Sequence, residues 1–457
     1  MLRRFEAQAG LVVLALAAAI AAMMLVAEPR ALEVVDASPS DGATDVPRAA
    51  QVTVTFSRPL DAASGQADVT VTPDTAGFVS VAGRRAAFTP RFGFRGDTTY
   101  TVRLGAGIRD RGGRTLAREV VFRFHTQPLR LVLRTGDGRL LRASLGGRVE
   151  PLAGGRIGEF AVSAEGTIAY VRPDEGALFV EPAGQGAARR ISLPPGLDVR
   201  ELAWAPRGRV LLLLAASGGS AGSPFLVRLD ATTPAVEPFG PRAGTIDPSS
   251  ILVTEALKKS LVEIVYRQES FAFTPDGRAA IVRDQNWDLA VFGLDGERRG
   301  NLGPFLAVGN ATPRGDVVAV VDVNPADPTL RRQVLGYRVD GRGTHAISLP
   351  EQDSHSPRFA HQTDRVVFAT GAAIGSPRER RFALQVVDVA TGAWRRLTDP
   401  PAGQSDEAAE WSPDDAWISF RRAPVGRPEL ATVWIVAADG GAARPVEPPA
   451  IAARWSP

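Results

Sequence analysis

The stretch AEWSPDDAWISFRR (residues 409–422) places an aromatic residue and Ser-Pro ahead of two aspartates and an apolar run. Proline fixes φ near about −65° at the second position of a turn, and a Gly or Asp beside it closes the turn. The stretch therefore reads as two strands joined by a tight hairpin. Five others follow the same template: FAVSAEGTIAYVRP (160–173), LAWAPRGRVLLLLAA (202–216), FAFTPDGRAAIVRD (271–284), GNATPRGDVVAVVDV (309–323) and PRFAHQTDRVVFAT (357–370). A further copy, ARWSP (453–457), carries only the first half. The proline column is occupied by Ala164, Pro206, Pro275, Pro313, His361, Pro413 and Pro457. Its members stand 38 to 52 residues apart, except for one step of 69.

That period is the length of a four-stranded propeller blade. The strand before each turn carries an inward aromatic, as at Trp204, Phe273, Phe359, Trp411 and Trp455. The strand after it is apolar throughout, as at residues 210–214, so both of its faces must be covered by neighbouring blades. A third apolar burst follows, at residues 176–181, 224–229, 288–294, 384–389 and 432–437, often ending in a turn such as Asp295-Gly296, Asp340-Gly341, Thr391-Gly392 or Asp439-Gly440. Left alone, residues 453–457 would form an unpaired edge strand. The segment 129–155, LRLVLRTGDG, RLLRASLGG and RVEPLAGG, offers three strands with no aromatic-Ser-Pro strand ahead of them. Pairing 451–457 with 129–155 completes a blade and closes a ring of seven, with six or eight as the neighbouring counts. These W-S-P-D-G-like turns resemble those of TolB-type and WD-repeat-like bacterial propellers, over residues 129–457.

Upstream, residues 34–127 alternate apolar and polar positions in short bursts, at 51–56, 99–104 and 119–124. Period-two alternation means strands with one buried face, and about 90 residues of them suit a two-sheet sandwich. SPSDGATDVP (38–47), VTVTFSRPLD (52–61), FTP (88–90), TTYTVRLGAGIRDRGGRTL (98–116) and FRFHT (122–126) resemble a bacterial Ig-like domain of the SbsA type. The resemblance implies a spacer or binding module on a bacterial surface protein. Asp41, Asp45, Asp61 and Asp110 invite a calcium reading, but carboxylates at turns commonly accept from backbone amides. The expected fold class is all-β, a sandwich followed by a propeller.

GLVVLALAAAIAAMMLVA (10–27) carries no charge and follows Arg3 and Arg4. As a helix it would rise about 27 Å, close to the hydrocarbon thickness of a bilayer. The positive-inside bias leaves residues 1–9 as a short cytoplasmic tail and exports the rest. A cleaved signal peptide is the competing reading, though the apolar run exceeds the usual length. The 457 residues contain no cysteine, so disulfides, thiolate metal sites and cysteine nucleophiles are excluded. Charge is nearly balanced, 53 basic against 50 acidic, and the basic side is almost all arginine, spread along the chain. Nucleic-acid binding calls for a local patch with stacking aromatics instead.

The long step holds an insertion at about 242–268. In EALKKSLVEIVYRQ (255–268), Leu257, Leu261, Ile264 and Val265 fall on one helical face. Lys258, Lys259 and Arg267 are the candidate partner-binding residues there, beside the plainer reading of a decorating helix. Gly218-Gly219-Ser220-Ala221-Gly222 matches a nucleophile-elbow string, but a strand follows where a helix is needed. Asp284-Gln285-Asn286-Trp287-Asp288 begins like a calcium loop and lacks its glycine and distal glutamate. His345, His355 and His361 lie near one blade junction and could serve acid–base or metal chemistry if gathered. The expected function is a non-enzymatic, membrane-tethered, extracytoplasmic binding or scaffolding protein, acting as a monomer and needing no cofactor. Its partner would be an envelope protein or an anionic glycan, arginine being the natural anion contact. The alternative is a glycan-acting lyase or hydrolase using histidine and arginine.

Overall fold

The computed structural model describes residues 31–63, 68–183, 186–206, 210–217, 223–229, 234–240, 271–284, 288–323, 327, 331–372 and 380–456, together with Leu16. Among these, no helix is long and apolar enough to cross a membrane. The apolar run 10–27 (apart from Leu16) and the insertion 242–268, with Lys258, Lys259 and Arg267, lie outside the described residues. So do the Gly218–Gly222 string and Gln285, Asn286 and Trp287. The chain divides into two compact units, Met1–Gln127 and Pro128–Pro457.

The first unit is an all-β sandwich. One sheet orders its strands Val34–Ser38, Val52–Phe56, Arg85–Pro90, Gly77–Ala82; the other orders them Ala43–Val46, Val120–Thr126, Thr99–Leu104, Val69–Thr72. Alternation along Val52–Phe56 sends Val52, Val54 and Phe56 into the core, where the rings of Phe94, Tyr100 and Phe124 pack together. Two of the turn aspartates serve the backbone. Asp41 accepts from the Arg123 amide at 2.8 Å, and Asp110 from Gly112 and Arg114 at 2.8 and 2.9 Å.

Among the described residues, the second unit holds seven four-stranded antiparallel sheets. Blades 1 to 6 begin with inner strands Phe160–Val162, Leu197–Trp204, Phe271–Phe273, Ala307–Ala311, Gln352–Phe359 and Gln404–Trp411. Each is followed by three further strands in spatial order. Blade 7 is composite. Its inner strand Ala452–Ser456 pairs with Arg130–Arg134, placing Trp455 opposite Leu131 and Arg454 opposite Val132, and Leu140–Ser144 and Val149–Ala153 lie outside them.

Apolar clusters show that these sheets form a closed ring. Every pair of successive blades shares one cluster, and the seventh, containing Val132, Leu140, Phe160, Ile168 and Tyr170, joins blade 7 to blade 1. The second strand of each blade is sandwiched on both faces, so Leu211, Leu212 and Leu213 are all fully buried. The outermost strands are hydrophilic instead, with Arg189 and Arg190, Arg298 and Arg299, and Arg395 and Arg396 on three of them. Charge on an exposed edge opposes pairing with another chain.

Candidate functional site

The tryptophans of the repeat do more than fill the core. Trp204 Nε1 donates to the Ala161 carbonyl at 3.3 Å, Trp411 Nε1 to Arg358 at 2.8 Å and Trp455 Nε1 to Glu410 at 3.2 Å. Each bond runs from one inner strand to the inner strand of the preceding blade. Asn310 replaces this device in blade 4, exchanging two hydrogen bonds with the Phe359 backbone. The turn adds a second clasp: the Asp415 carboxylate accepts from the amides of His361 and Gln362, both at 2.8 Å. Trp411→Phe removes one indole donor and leaves the part-buried Arg358 carbonyl without that bond. Calorimetry should show a loss of about 2 kcal/mol; an unchanged melt would mean that these bonds add nothing to blade docking.

Two of the clasped residues, Arg358 and Glu410, also line a cavity of about 470 Å³ within the ring. Its wall includes Arg134, Glu159, Arg200, Glu201, Arg358, Glu410, Arg421, Glu429 and Arg454, drawn from blades 1, 2, 5, 6 and 7. Two β-bulges direct the lining. The register shifts between His355 and Arg358 in blade 5 and between Glu407 and Glu410 in blade 6. At the same points Ser356 and Ala408 take φ of 54° and 53°. A bulge re-aims side chains, and a non-glycine residue in the left-handed region is strained. Both bulges thus act at the channel wall.

Beneath this wall lies a buried ionic group. Asp353 Oδ1 accepts from the Arg332 amide at 2.7 Å and from its Nε at 3.0 Å, while Oδ2 accepts from Arg332 Nη2 at 2.8 Å. Arg380 Nη1 stands 2.7 Å from the same Oδ2. Burial alone would raise the Asp353 pKa, but the two guanidinium groups outweigh it and hold the carboxyl well below the ordinary range. Asp406 and Arg422 repeat the arrangement in blade 6, at 2.6 and 2.7 Å.

Closer to the channel, His355 is buried against the edge of the Phe382 ring, and desolvation keeps its imidazole neutral. The Glu407 side chain is part-exposed, yet desolvation pushes its carboxyl upward against the opposing Ser405 hydrogen bond. Its register partner across the hairpin is Arg421. Desolvation, followed by repulsion from Arg134 and Arg454, lowers the Arg421 pKa, although Glu407 and Glu159 oppose the shift.

The three histidines of the sequence reading are not gathered into one site. His345 sits on the outermost strand of blade 4, its ring against Gly336. His355 lies on the inner strand of blade 5, and His361 in the turn beyond that strand's other end, about 20 Å away. Among the described residues, no group of three or more His, Cys, Asp or Glu could hold a metal. Asp284 and Asp288 close a polar hairpin, through bonds between their backbones and from the Asp288 amide to Asp284 Oδ1.

Sequence reasoning passed over Asp353, Arg332, Arg380, Glu407 and Arg421. One signal was available. QDSHSPRF and QSDEAAEW open their inner strands with four polar residues, where the strand in blade 3 is Phe-Ala-Phe.

Residues 28–126 match the bacterial Ig-like domain family. No curated protein matches the chain. Among solved structures it is similar to the putative TolB from Agrobacterium tumefaciens, at 16% identity over 59% of this chain and 88% of that one, TM-score 0.37. TolB from Acinetobacter baumannii is 12% identical over 85% and 83% of the two chains, TM-score 0.42. The β-propeller domain of the Trilobed protease from Pyrococcus furiosus is 10% identical over 91% and 98%, TM-score 0.45. The first unit therefore carries the bacterial Ig-like domain, and the second is the seven-bladed ring described above.

Proposed function

We propose that the protein is a non-enzymatic, extracytoplasmic binding protein, tethered to the membrane by residues 10–27. In this reading the Ig-like domain is a spacer and the propeller channel holds an anionic glycan of the cell envelope. One observation carries it: Arg134, Arg358 and Arg454 crowd the same cavity wall as Arg421, whose charge burial disfavours more than Glu407 restores it. An anionic ligand relieves that crowding. The glutamates beside the arginines favour a sugar acid, whose carboxylate is an acceptor and whose hydroxyls are donors. An envelope protein presenting an acidic segment is the competing occupant.

The full-length protein in mild detergent should bind a polyuronate and ignore dextran, with affinity falling as salt rises. Arg421→Gln should weaken that binding tenfold or more, on the order of one charge-assisted hydrogen bond. Binding to an acidic peptide but not to the polyuronate would transfer the site to a protein partner. Binding to neither would end the proposal.

A further inference from the structure

The Ig-like sandwich leaves one sheet edge without the protection that its other edges carry. An edge strand offers unpaired amides and carbonyls to another chain, and charge, proline, a bulge or short length ordinarily blunts it. Val34–Ser38 carries Asp36, and its register breaks beside that residue. Ala43–Val46 is four residues long, with Asp45 in the left-handed region at φ 54°. Val69–Thr72 is equally short and is enclosed by Asp68 and Pro73. Gly77–Ala82, the fourth edge, has none of these devices. Its sequence GFVSVA holds no charge and no proline, and its six residues pair with Arg85–Pro90 without a register break. Beyond that ladder it makes no backbone–backbone hydrogen bond among the described residues.

The two faces of this strand differ. Val79 and Val81 pack against the sandwich core, while Phe78, Ser80 and Ala82 face outward, and Phe78 is 60% exposed. Charge stands only at the ends. Asp74 precedes the strand and Arg84 and Arg85 follow it, all exposed and none in an ion pair among the described residues. A strand that is acidic at one end and basic at the other is complementary to its own reverse. Antiparallel pairing with a second copy sets each Asp74 end beside the other copy's Arg84 and Arg85, twice over about a two-fold axis. A parallel copy would set like charges together instead.

We propose that Gly77–Ala82 pairs antiparallel with the same strand of a second copy of this chain, joining two sandwiches through one continuous sheet. Residues directly opposite in an antiparallel pair point to the same face, so the two-fold axis must relate a residue to itself. Centred on Ser80, it sets Phe78 of one copy opposite Ala82 of the other and Val79 opposite Val81. Apolar then meets apolar on both faces, and no charge lies within the ladder. A ladder this short is a small interface, so the dimer is weak, with Kd on the order of 10 μM. The pairing does not depend on what the propeller binds. It replaces the monomer expected from the sequence with a reversible dimer carrying two propellers.

The chain contains no cysteine, so one introduced thiol reports the contact without background. In the full-length protein in mild detergent, Ser80→Cys should form an intermolecular disulfide under mild oxidation, because opposite Cα atoms stand about 4.5–5.5 Å apart, within disulfide reach. Thr70→Cys, exposed on the edge strand Val69–Thr72, should cross-link on the order of tenfold less. Ser80→Glu sets two carboxylates face to face on the axis and should weaken self-association about tenfold or more in analytical ultracentrifugation. Equal cross-linking at positions 70 and 80 would mean random collision. A dimer that Ser80→Glu leaves intact would place the contact elsewhere in the chain. Either result overturns the pairing, as does a chain that stays monomeric at about 100 μM and forms no cross-link. Should Ser80→Glu fold poorly, the Ser80→Cys cross-link decides alone.

Discussion

Deleting residues 451–457 should lower the melting temperature of the propeller by 10 °C or more, on the order of 5 kcal/mol or above converted at about 2–4 °C per kcal/mol for a large domain. The strand Ala452–Ser456 is paired along five residue positions with Arg130–Arg134. Trp455 belongs to the apolar cluster between blades 6 and 7 and donates to the Glu410 carbonyl. Losing one buried tryptophan costs about 3–5 kcal/mol by itself, before the ladder hydrogen bonds are counted. The deletion also uncovers Leu131, Val132 and Leu133, all fully buried, on a bare sheet edge that invites self-association. Scanning calorimetry on the full-length and shortened proteins measures the shift, with the sandwich transition as internal reference. A propeller transition within 2 °C of the original, as an order-of-magnitude limit, would show that the closing strand contributes little.

Asp353→Asn is expected to cost about 3–5 kcal/mol, the usual penalty for breaking a buried ion pair by removing one partner. Arg332 and Arg380 both lose their shared carboxylate, and neither can reach bulk water, since both are more than nine-tenths buried. The effect has a pH signature. The Asp353 carboxyl is held below its unfolded-state value, so its contribution is complete above about pH 4 and is lost as pH falls through the native value. The variant should therefore be less stable at pH 7 and show a shallower loss of stability below about pH 4. His355 is also held below its unfolded value, so the unfolded state takes up its proton first, beginning near about pH 6.5. That earlier part of the acid limb should survive in the variant. Denaturant titrations between pH 7 and 3 test both features, and a loss under 1 kcal/mol with an unaltered limb would place Asp353 outside the stability core.

The blade repeat was legible because its signals are local. Proline at one turn position, a small or acidic residue at the next and an apolar strand after it act within a dozen residues, and the spacing of copies does the rest. The alternation in residues 51–56 likewise foretold a strand at Val52–Phe56 with three inward side chains. The ionic group was not legible in that way. Arg332, Asp353 and Arg380 are separated by more than 20 residues each, and their meeting depends on which strands of two adjacent blades lie side by side. The histidines show the opposite case: close in sequence, they could serve acid–base or metal chemistry only if gathered. An extended strand instead carries His355 and His361 about 20 Å apart.

By itself, then, the amino-acid sequence determined the two folds, since turn chemistry and periodicity specify hairpins and their buried faces without reference to distant residues. It also determined the tryptophans as core residues, but not as bridges between blades. The tertiary structure alone decided which polar side chains meet in the channel. Closing the ring turns inner-strand positions from residues 159 to 454 into neighbours around one cavity. Desolvation there disfavours the charge on Arg421, and packing leaves His355 Nε2 buried without a hydrogen-bond partner; neither property exists in any single strand.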